Sequence, residues 1–431
     1  MYAWQDLNLD TRIGKEHLVN VVESLKIESQ GAGAPATEEL RVRVVRDYAG
    51  VEDIRPIWRS WQSLPNADID FYLTILRSHP EMLSPHILVL YRGDRPEAML
   101  VGRIDQSLLE FKMGYKALYK ASVRQLTLIN GGGLGNLSPE NCEFLVLELM
   151  NSLKREKLDV AFFNHLRMDS GLYKAVTRFP GFLTRDHFQV PLVHRSMLLP
   201  DTVEEVYRGF SAKVRKNLKW QARKLSNDFP GGVEVRTFCK VQDLDQMIQS
   251  VEQVAKNTYQ RGLGVGFIDG PEMRKRLSLE AERGWLRAYI LYIAGVPAAF
   301  WIGNLYGDTF HSNYMGYDVG YSKYSVGMYL IMRTIENMVG RSGAGKPSQI
   351  DFGLGDAQYK EVLGNCDWEE ATSRIFSPTF KGICLSALWT STMLVNRAAR
   401  NLLSRAGMVQ KIKRTWRDKL RPKSDSSKNS E

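Results

Sequence analysis

Pro96-Glu97-Ala98-Met99-Leu100-Val101-Gly102 and Pro297-Ala298-Ala299-Phe300-Trp301-Ile302-Gly303 are one phrase written at two distant places in the chain. Both read Pro-x-Ala, three apolar residues, Gly. Each follows an apolar run and a glycine-bearing turn: Ile87 to Tyr91 with Gly93-Asp94, and Ala288 to Ile293 with Gly295. Two apolar runs joined so tightly predict a β-hairpin. The flanks repeat as well. The first copy reads as strand 41–45, helices 54–61 and 69–77, the hairpin, strand 124–129, helix 143–153 and strand 159–163. The second reads as strand 233–238, helices 244–259 and 271–282, the hairpin, strand 309–317, helix 325–339 and strand 349–352. One order of elements used twice predicts tandem units of a mixed α/β (α+β) fold, each a mostly antiparallel sheet flanked by helices.

The boundaries follow. Residues 1–40 read as a flexible arm, ending in the linker Gly31-Ala32-Gly33-Ala34-Pro35. Residues 41–199 hold the first unit and 200–380 the second, and 381–431 read as an amphipathic helix with a basic tail. From Arg397 onward eleven basic residues face three acidic ones, a net +8 out of the chain's +10. The body is therefore nearly neutral, and a DNA-binding role is not expected. The amphipathic, basic stretch 385–420 suits a membrane surface or a membrane-bound polysaccharide synthase.

Four cysteines, Cys142, Cys239, Cys366 and Cys384, show neither redox nor zinc spacing, and the seven histidines show no metal motif, so no metal is expected. Residues 1–30 mix charge with apolar residues and lack a secretory signal, and no apolar run is long enough to span a bilayer. These features fit a cytoplasmic protein, with a peripheral position at the inner membrane face as an option.

Chemistry concentrates in the second copy. Met328, Ile331, Ile335 and Met338 give a helix one buried stripe. Ser325 stands at its N-cap position, and Gly327 removes a side chain from the first turn. The free N–H groups and dipole of such a helix mouth hold anions. An aromatic loop, Tyr314, Tyr317, Tyr321 and Tyr324, leads in. After the next strand come Asp351-Phe352-Gly353-Leu354-Gly355-Asp356-Ala357-Gln358-Tyr359-Lys360, with two carboxylates, a tyrosine and a lysine around a glycine turn. Asp356 could cap the following helix. Residues 208–224 carry seven basic side chains and no acid, with Val214, Leu218, Ala222 and Leu225 as an apolar face. They form either a solvated helix face or a path for an acidic ligand. Gly340-Arg341-Ser342-Gly343-Ala344-Gly345-Lys346 has P-loop spacing, but Pro347 replaces the Ser/Thr that would bind magnesium. Gly131-Gly132-Gly133-Leu134-Gly135 reads as a flexible turn or a relic of the helix mouth.

Tyr317-Asp318, Tyr324-Ser325-x-Gly327 and Asp351-Phe352-x-x-Gly355-Asp356-x-x-Tyr359-Lys360 together resemble the second domain of GNAT-related acetyltransferases associated with cellulose and exopolysaccharide biosynthesis, relatives of the Fem-type peptidyl transferases. Arg215-Lys216-Asn217 resembles that family's basic entry helix. Val326 stands where proline is usual there, and His311 where an aromatic is. The resemblance implies tandem GNAT-like domains, the first degenerate, and acyl transfer from acetyl-CoA or another acyl-CoA. It places the cofactor on Tyr324, Ser325, Val326, Gly327 and Met328, and the acceptor near Arg215, Asn217, Tyr317 and Asp351. The acceptor is then an amine or hydroxyl of a saccharide or related small molecule. Spacing and family position nominate Asp356 or His311 as base, Tyr314 or Tyr359 as acid toward the thiolate, and Lys360 as a partner of an anion or of Asp356. Two other readings remain: an aminoacyl-tRNA-dependent Fem-like transferase, and a non-catalytic accessory of a polysaccharide synthase.

Overall fold

A computed structural model of the chain describes residues 39–79, 83–114, 116–258, 266–340 and 345–405. The N-terminal arm, residues 341–344 of the P-loop-like stretch and the tail from 406 onward lie outside them. The first half runs β1 (Leu40–Val45), α1 (Tyr48–Asp53), α2 (Arg55–Trp61), α3 (Ile69–Ser78), β2 (Ser84–Arg92), β3 (Arg95–Met113), β4 (Lys116–Gly135), α4 (Pro139–Arg155), β5 (Val160–Arg167), α5 (Gly171–Arg178) and β6 (Leu192–Leu198). The second runs α6 (Val203–Arg208), α7 (Ala212–Asp228), β7 (Val233–Phe238), α8 (Leu244–Ala255), α9 (Pro271–Glu282), β8 (Leu286–Ile293), β9 (Val296–Tyr306), β10 (Thr309–Tyr317), α10 (Val326–Gly340), β11 (Gln349–Leu354), α11 (Gln358–Leu363), β12 (Cys366–Phe376) and α12 (Phe380–Arg405). The mixed α/β order expected from the repeat is present.

Local chemistry explains many boundaries. Ser138 accepts from Asn141 N and is followed by Pro139, so α4 starts there. Thr202 and Glu205 form a reciprocal capping box on α6. The basic stretch expected as one helix breaks at Gly209, and Ser211 caps α7. The glycine that ends each repeat phrase has a steric reason in the second copy. A Cβ on Gly303 would lie 2.3 Å from the His311 carbonyl and 2.6 Å from the Phe310 ring.

All twelve strands join one sheet in the order β1-β2-β3-β4-β5-β12-β6-β11-β10-β9-β8-β7. Among the described residues only β4–β5 and β10–β11 pair in parallel. The last strand of each half has crossed over. β6, from the first half, lies against β11, while β12, from the end of the second, lies against β5. The two exchanged strands then pair with each other, Cys366 with Ser196 through Glu370 with Leu192. The sequence division at 199/200 is thus bridged by hydrogen bonds on both sides.

Helices cover both faces, so the central strands are apolar in continuous runs. In β9, Trp301 packs with α10 residues Leu330, Ile331 and Ile335, while Phe300 and Ile302 pack with α8 residues Met247, Ile248 and Val251. In the first half, Leu88, Leu90 and Leu100 face α4, and Ile87, Val89 and Met99 face α1 to α3. Gly131 to Gly135 correct one expectation. They are part of β4, paired through Gly133 with Leu100 and Gly135 with Ala98, and form no turn.

The halves also touch through α3 and α9. Arg283 donates to Asp70 Oδ2 at 2.5 Å, and Tyr306 Oη donates to Asp68 Oδ2 at 2.9 Å. We expect both halves to unfold in one transition. Phe376→Ala, at a fully buried β12 position, should cost about 3–5 kcal/mol. Calorimetry checks this, and two separate transitions would show the halves to be independent.

Candidate active site

The parallel pair β10 and β11 is hydrogen-bonded in register only from Thr309–Gln349 to His311–Asp351. Beyond that point β10 continues against β9 and β11 against β6, so a gap opens at the His311–Asp351 level. Both strands carry irregularities there. On β10, Ser312 opposes Gly303 and Tyr314 opposes Ile302, leaving Asn313 as the extra residue of a bulge. Bulges re-aim side chains and free backbone groups beside sites.

One face of the gap belongs to the helix mouth. Ser325 sits at φ 52°, in the left-handed region, and its Oγ accepts from Gln221 Nε2 of α7 at 2.8 Å. This corrects the expectation of a side-chain N-cap, because the hydroxyl is turned to α7. The Ser325 carbonyl still accepts the bond from Tyr329 N at 3.0 Å that opens the helix. The N–H groups of Val326, Gly327 and Met328 precede any possible intrahelical acceptor, so the mouth retains its anion-binding character. Tyr324 and Val326 are buried, and what they offer a ligand is backbone. Tyr324 Oη donates to Asp228 at 2.8 Å. The ammonium groups of Lys323 and Lys224 lie 4.8 and 5.4 Å from the ring centre of Tyr324, two residues before α10 begins. A Cβ on Gly327 would rest 3.4 Å from the Tyr317 ring, ordinary contact, so the residue is not fixed by crowding.

The opposite face carries titratable groups. Phe310 packs with the α10 side, so alternation turns His311 to the α8–α9 side, the side on which Tyr314 packs against Phe267. His311 Nδ1 lies 3.1 Å from Asp351 Oδ2. The other oxygen, Asp351 Oδ1, meets His194 Nε2 at 2.5 Å and the Gly353 N–H at 2.7 Å. His194 comes from β6 of the first half. Its Nδ1 is 3.0 Å from Glu370 Oε1 on β12, a charge contact that is not aligned as a hydrogen bond. Glu370 accepts from Trp368 Nε1 at 2.6 Å, and the Trp368 ring stacks on His194 with centres 4.3 Å apart. His311 Nε2 and Asn313 Nδ2 are buried and have no hydrogen-bond partner among the described residues.

The electrostatics follow from this order. Burial works against a charge on His194, but Asp351 and Glu370 outweigh it and push its pKa up to about 9. Burial works against a charge on Asp351, yet His194 and His311 hold it well below the usual carboxylate range. Burial pushes the Lys360 ammonium down, partly countered by Asp351.

The sequence-derived residues divide. His311 and Asp351 are in contact, with Tyr314 on their side of the sheet. Tyr317 sits by the helix mouth. Asp356 is exposed on the turn after β11 and does not cap α11, whose N-cap position is Ala357. Lys360 donates to the Leu354 carbonyl at 2.7 Å and so is turned to backbone instead of Asp356. Tyr359 packs edge-on against Phe352, in the cluster on the α10 side. Arg215 donates to the Phe210 carbonyl at 2.6 Å, tying α7 to the turn before it, and Asn217 is exposed. Sequence reasoning missed His194, Glu370, Gln221 and Lys323. For the first two the sequence offered no usable signal, because β6 (Leu-Val-His-Arg-Ser-Met-Leu) lacks apolar-polar alternation and β12 loses it after Glu369, and neither strand was foreseen.

Residues 212–361 match the family model described as an acetyltransferase (GNAT) domain. Among solved structures, FemX is 11% identical with a TM-score of 0.49, covering 78% of this chain and 97% of its own. A tandem GNAT protein from the clavulanic acid biosynthesis pathway is 9% identical with a TM-score of 0.44, covering 79% and 100%. The C-terminal domain of a protein described as a lysylphosphatidylglycerol synthetase, from Agrobacterium fabrum, is 13% identical with a TM-score of 0.44, covering 78% and 94%. No curated protein matches the chain.

The His194 charge makes a stability prediction. Its folded pKa, about 9, lies above the ordinary 6.5, so its contribution is complete below pH 6.5 and fades as pH rises through 9. His194→Gln should remove that alkaline decline. It should also cost about 3–5 kcal/mol at neutral pH by leaving two buried carboxylates short of a counter-charge. Urea unfolding between pH 6 and 10 measures both, and an unchanged alkaline slope would refute the assignment.

Proposed function

We propose that the chain is an acyl-CoA-dependent acyltransferase whose two substrates meet in the gap between β10 and β11. The observation that carries this reading is the placement of an anion-holding helix mouth on one face of the gap and the His311–Asp351 pair on the other. A GNAT domain implies an acyl-CoA co-substrate, and the residues at the mouth suit one. The first-turn N–H groups of α10, with Lys224 and Lys323 beside the Tyr324 ring, would hold its pyrophosphate. The thioester would then enter the gap, and the acceptor would approach from the α8–α9 side.

His311 is the base in this reading. Its Nδ1–H donates to Asp351, which fixes the tautomer and leaves Nε2 as the free acceptor. Nε2 takes the proton of the acceptor amine or hydroxyl as that atom attacks the thioester carbonyl. The carbonyl oxygen gathers negative charge, which a backbone N–H freed at the Asn313 bulge would stabilise. As the carbon–sulfur bond breaks, the thiolate takes a proton, for which Tyr314 is the donor on the same side of the sheet. Holding both substrates in one cleft supplies much of the remaining barrier reduction, on the order of 7–11 kcal/mol in well-oriented cases. The acceptor is an amine or hydroxyl of a saccharide or related small molecule, and its link to cellulose or exopolysaccharide synthesis rests on the motif resemblance alone.

Acetyl-CoA should raise the melting temperature of the wild type, and Gly327→Trp should abolish the rise by filling the mouth. A wild type that shifts with no acyl-CoA of any chain length would overturn the reading. His311→Ala should bind acetyl-CoA normally and lower kcat by about 10²- to 10⁴-fold. Full turnover in that variant would move the base elsewhere, with Asp356 the next residue to replace. Lys224→Glu with Lys323→Glu should raise the KM for acyl-CoA about tenfold with little change in kcat, as loss of ground-state binding does. Steady-state kinetics at varied acyl-CoA decides that point.

A further inference from the structure

Helix α12 is apolar on two sides. One side packs on the sheet, where Leu385 and Trp389 meet Leu109, Phe111, Ala121, Val123 and Phe376. Trp389 is further held by Asp186, to whose Oδ1 its Nε1 donates at 3.1 Å, and by Arg374, whose guanidinium lies 4.2 Å from its ring centre. Near the far end of the described helix, Asn396 is tied to the tip of the β3–β4 hairpin. It accepts from Gly114 N at 2.9 Å and donates to the Lys112 carbonyl at 2.6 Å. The helix is therefore fixed in rotation, and its outer side is fixed too.

That outer side is a second apolar stripe. Phe380, Leu388, Val395 and Leu402 fall within about 80° of one another on a helix of 3.6 residues per turn. All four are exposed, Phe380 at 86% and Leu402 at 67%. Leu394 lies at the stripe's edge and is 50% exposed. Between them stand small or uncharged residues, Cys384, Ser391 and Ala398, also exposed. The hairpin tip, tied to Asn396 on the sheet side of the helix, separately exposes Met113, Leu118 and Tyr119, each about half. Isolated apolar side chains on a surface are ordinary, but a continuous stripe opposite an already buried face marks a contact.

The surrounding charge selects the partner. From Phe380 to Arg405 the helix contains Lys381, Arg397, Arg400 and Arg405 and no acidic residue. Residues 406–431 add eight basic residues against three acidic ones. A second copy of the chain placed on this face by two-fold symmetry would bring the same basic residues together with no counter-charge. An anionic lipid surface supplies the counter-charge and the apolar phase together. No helix of the described residues is long and apolar enough to cross a membrane, so α12 would lie along the surface.

We propose that the outer face of α12 is a membrane-docking surface that lays Phe380, Leu388, Leu394, Val395 and Leu402 into the headgroup boundary of an anionic bilayer. The proposal does not depend on the acyltransferase reading, because none of these residues lies in the β10–β11 site. The full chain should sediment with phosphatidylglycerol-containing vesicles, and much less with pure phosphatidylcholine or in high salt. Leu388→Asp with Val395→Asp should weaken that binding about tenfold or more, by withdrawing apolar contact from the interface, at unchanged melting temperature and mass. Phe380→Ser with Leu402→Ser, changing the two ends of the stripe, should weaken it in the same direction. Three results would overturn the proposal. The wild type sediments with neither vesicle; both double variants bind as the wild type does, leaving the basic tail alone responsible; or light scattering shows a dimer that the variants dissolve, making a second copy the occupant.

Discussion

The pairing of β6 with β12 is the interaction on which the rest of the structure depends. Each strand leaves the half that precedes it in the chain and completes the sheet of the other. Without the exchange, β5 and β11 would each present an open edge, an invitation to pair with another chain. With it, twelve strands form one sheet, and neither half can close alone. The contact between α3 and α9 reinforces the seam from one face, through the Asp70–Arg283 and Asp68–Tyr306 bonds.

The seam also sets the chemistry. Asp351 is held between His311, from its own half, and His194, carried in on the exchanged strand. A buried carboxylate with two imidazole partners and the Gly353 N–H stays ionised, which a lone buried carboxylate would not. Glu370 arrives on the other exchanged strand and faces His194 from the far side. The first half therefore contributes His194 to the candidate site of the second half through β6.

In the proposed function the two faces of the sheet would divide the labour. On the α10 side the groups are fixed dipoles and surface cations, suited to a large anion. On the α8–α9 side they are imidazole and carboxylate, suited to moving a proton. The gap between β10 and β11 connects the faces, because parallel strands that lose register beyond His311–Asp351 cannot be closed by neighbours already paired elsewhere.

The repeat phrase, the hydrophobic periodicities and the glycine turns determined the element order, because those signals are local. β7, α9 and β10 were legible to the residue, and the start of α10 to within one residue. The sequence also determined that His311 and Asp351 both belong near the end of the second unit. Only the tertiary structure decided that they touch, since a parallel pairing brings together residues separated by a whole helix. It alone decided that His194 and Glu370 join them, because strand exchange leaves no periodic trace in a sequence. It likewise turned Ser325, Arg215 and Lys360 away from the roles their spacing suggested. Each found a nearer partner in Gln221, the Phe210 carbonyl and the Leu354 carbonyl. Spacing places a side chain on an element, and packing decides what it meets.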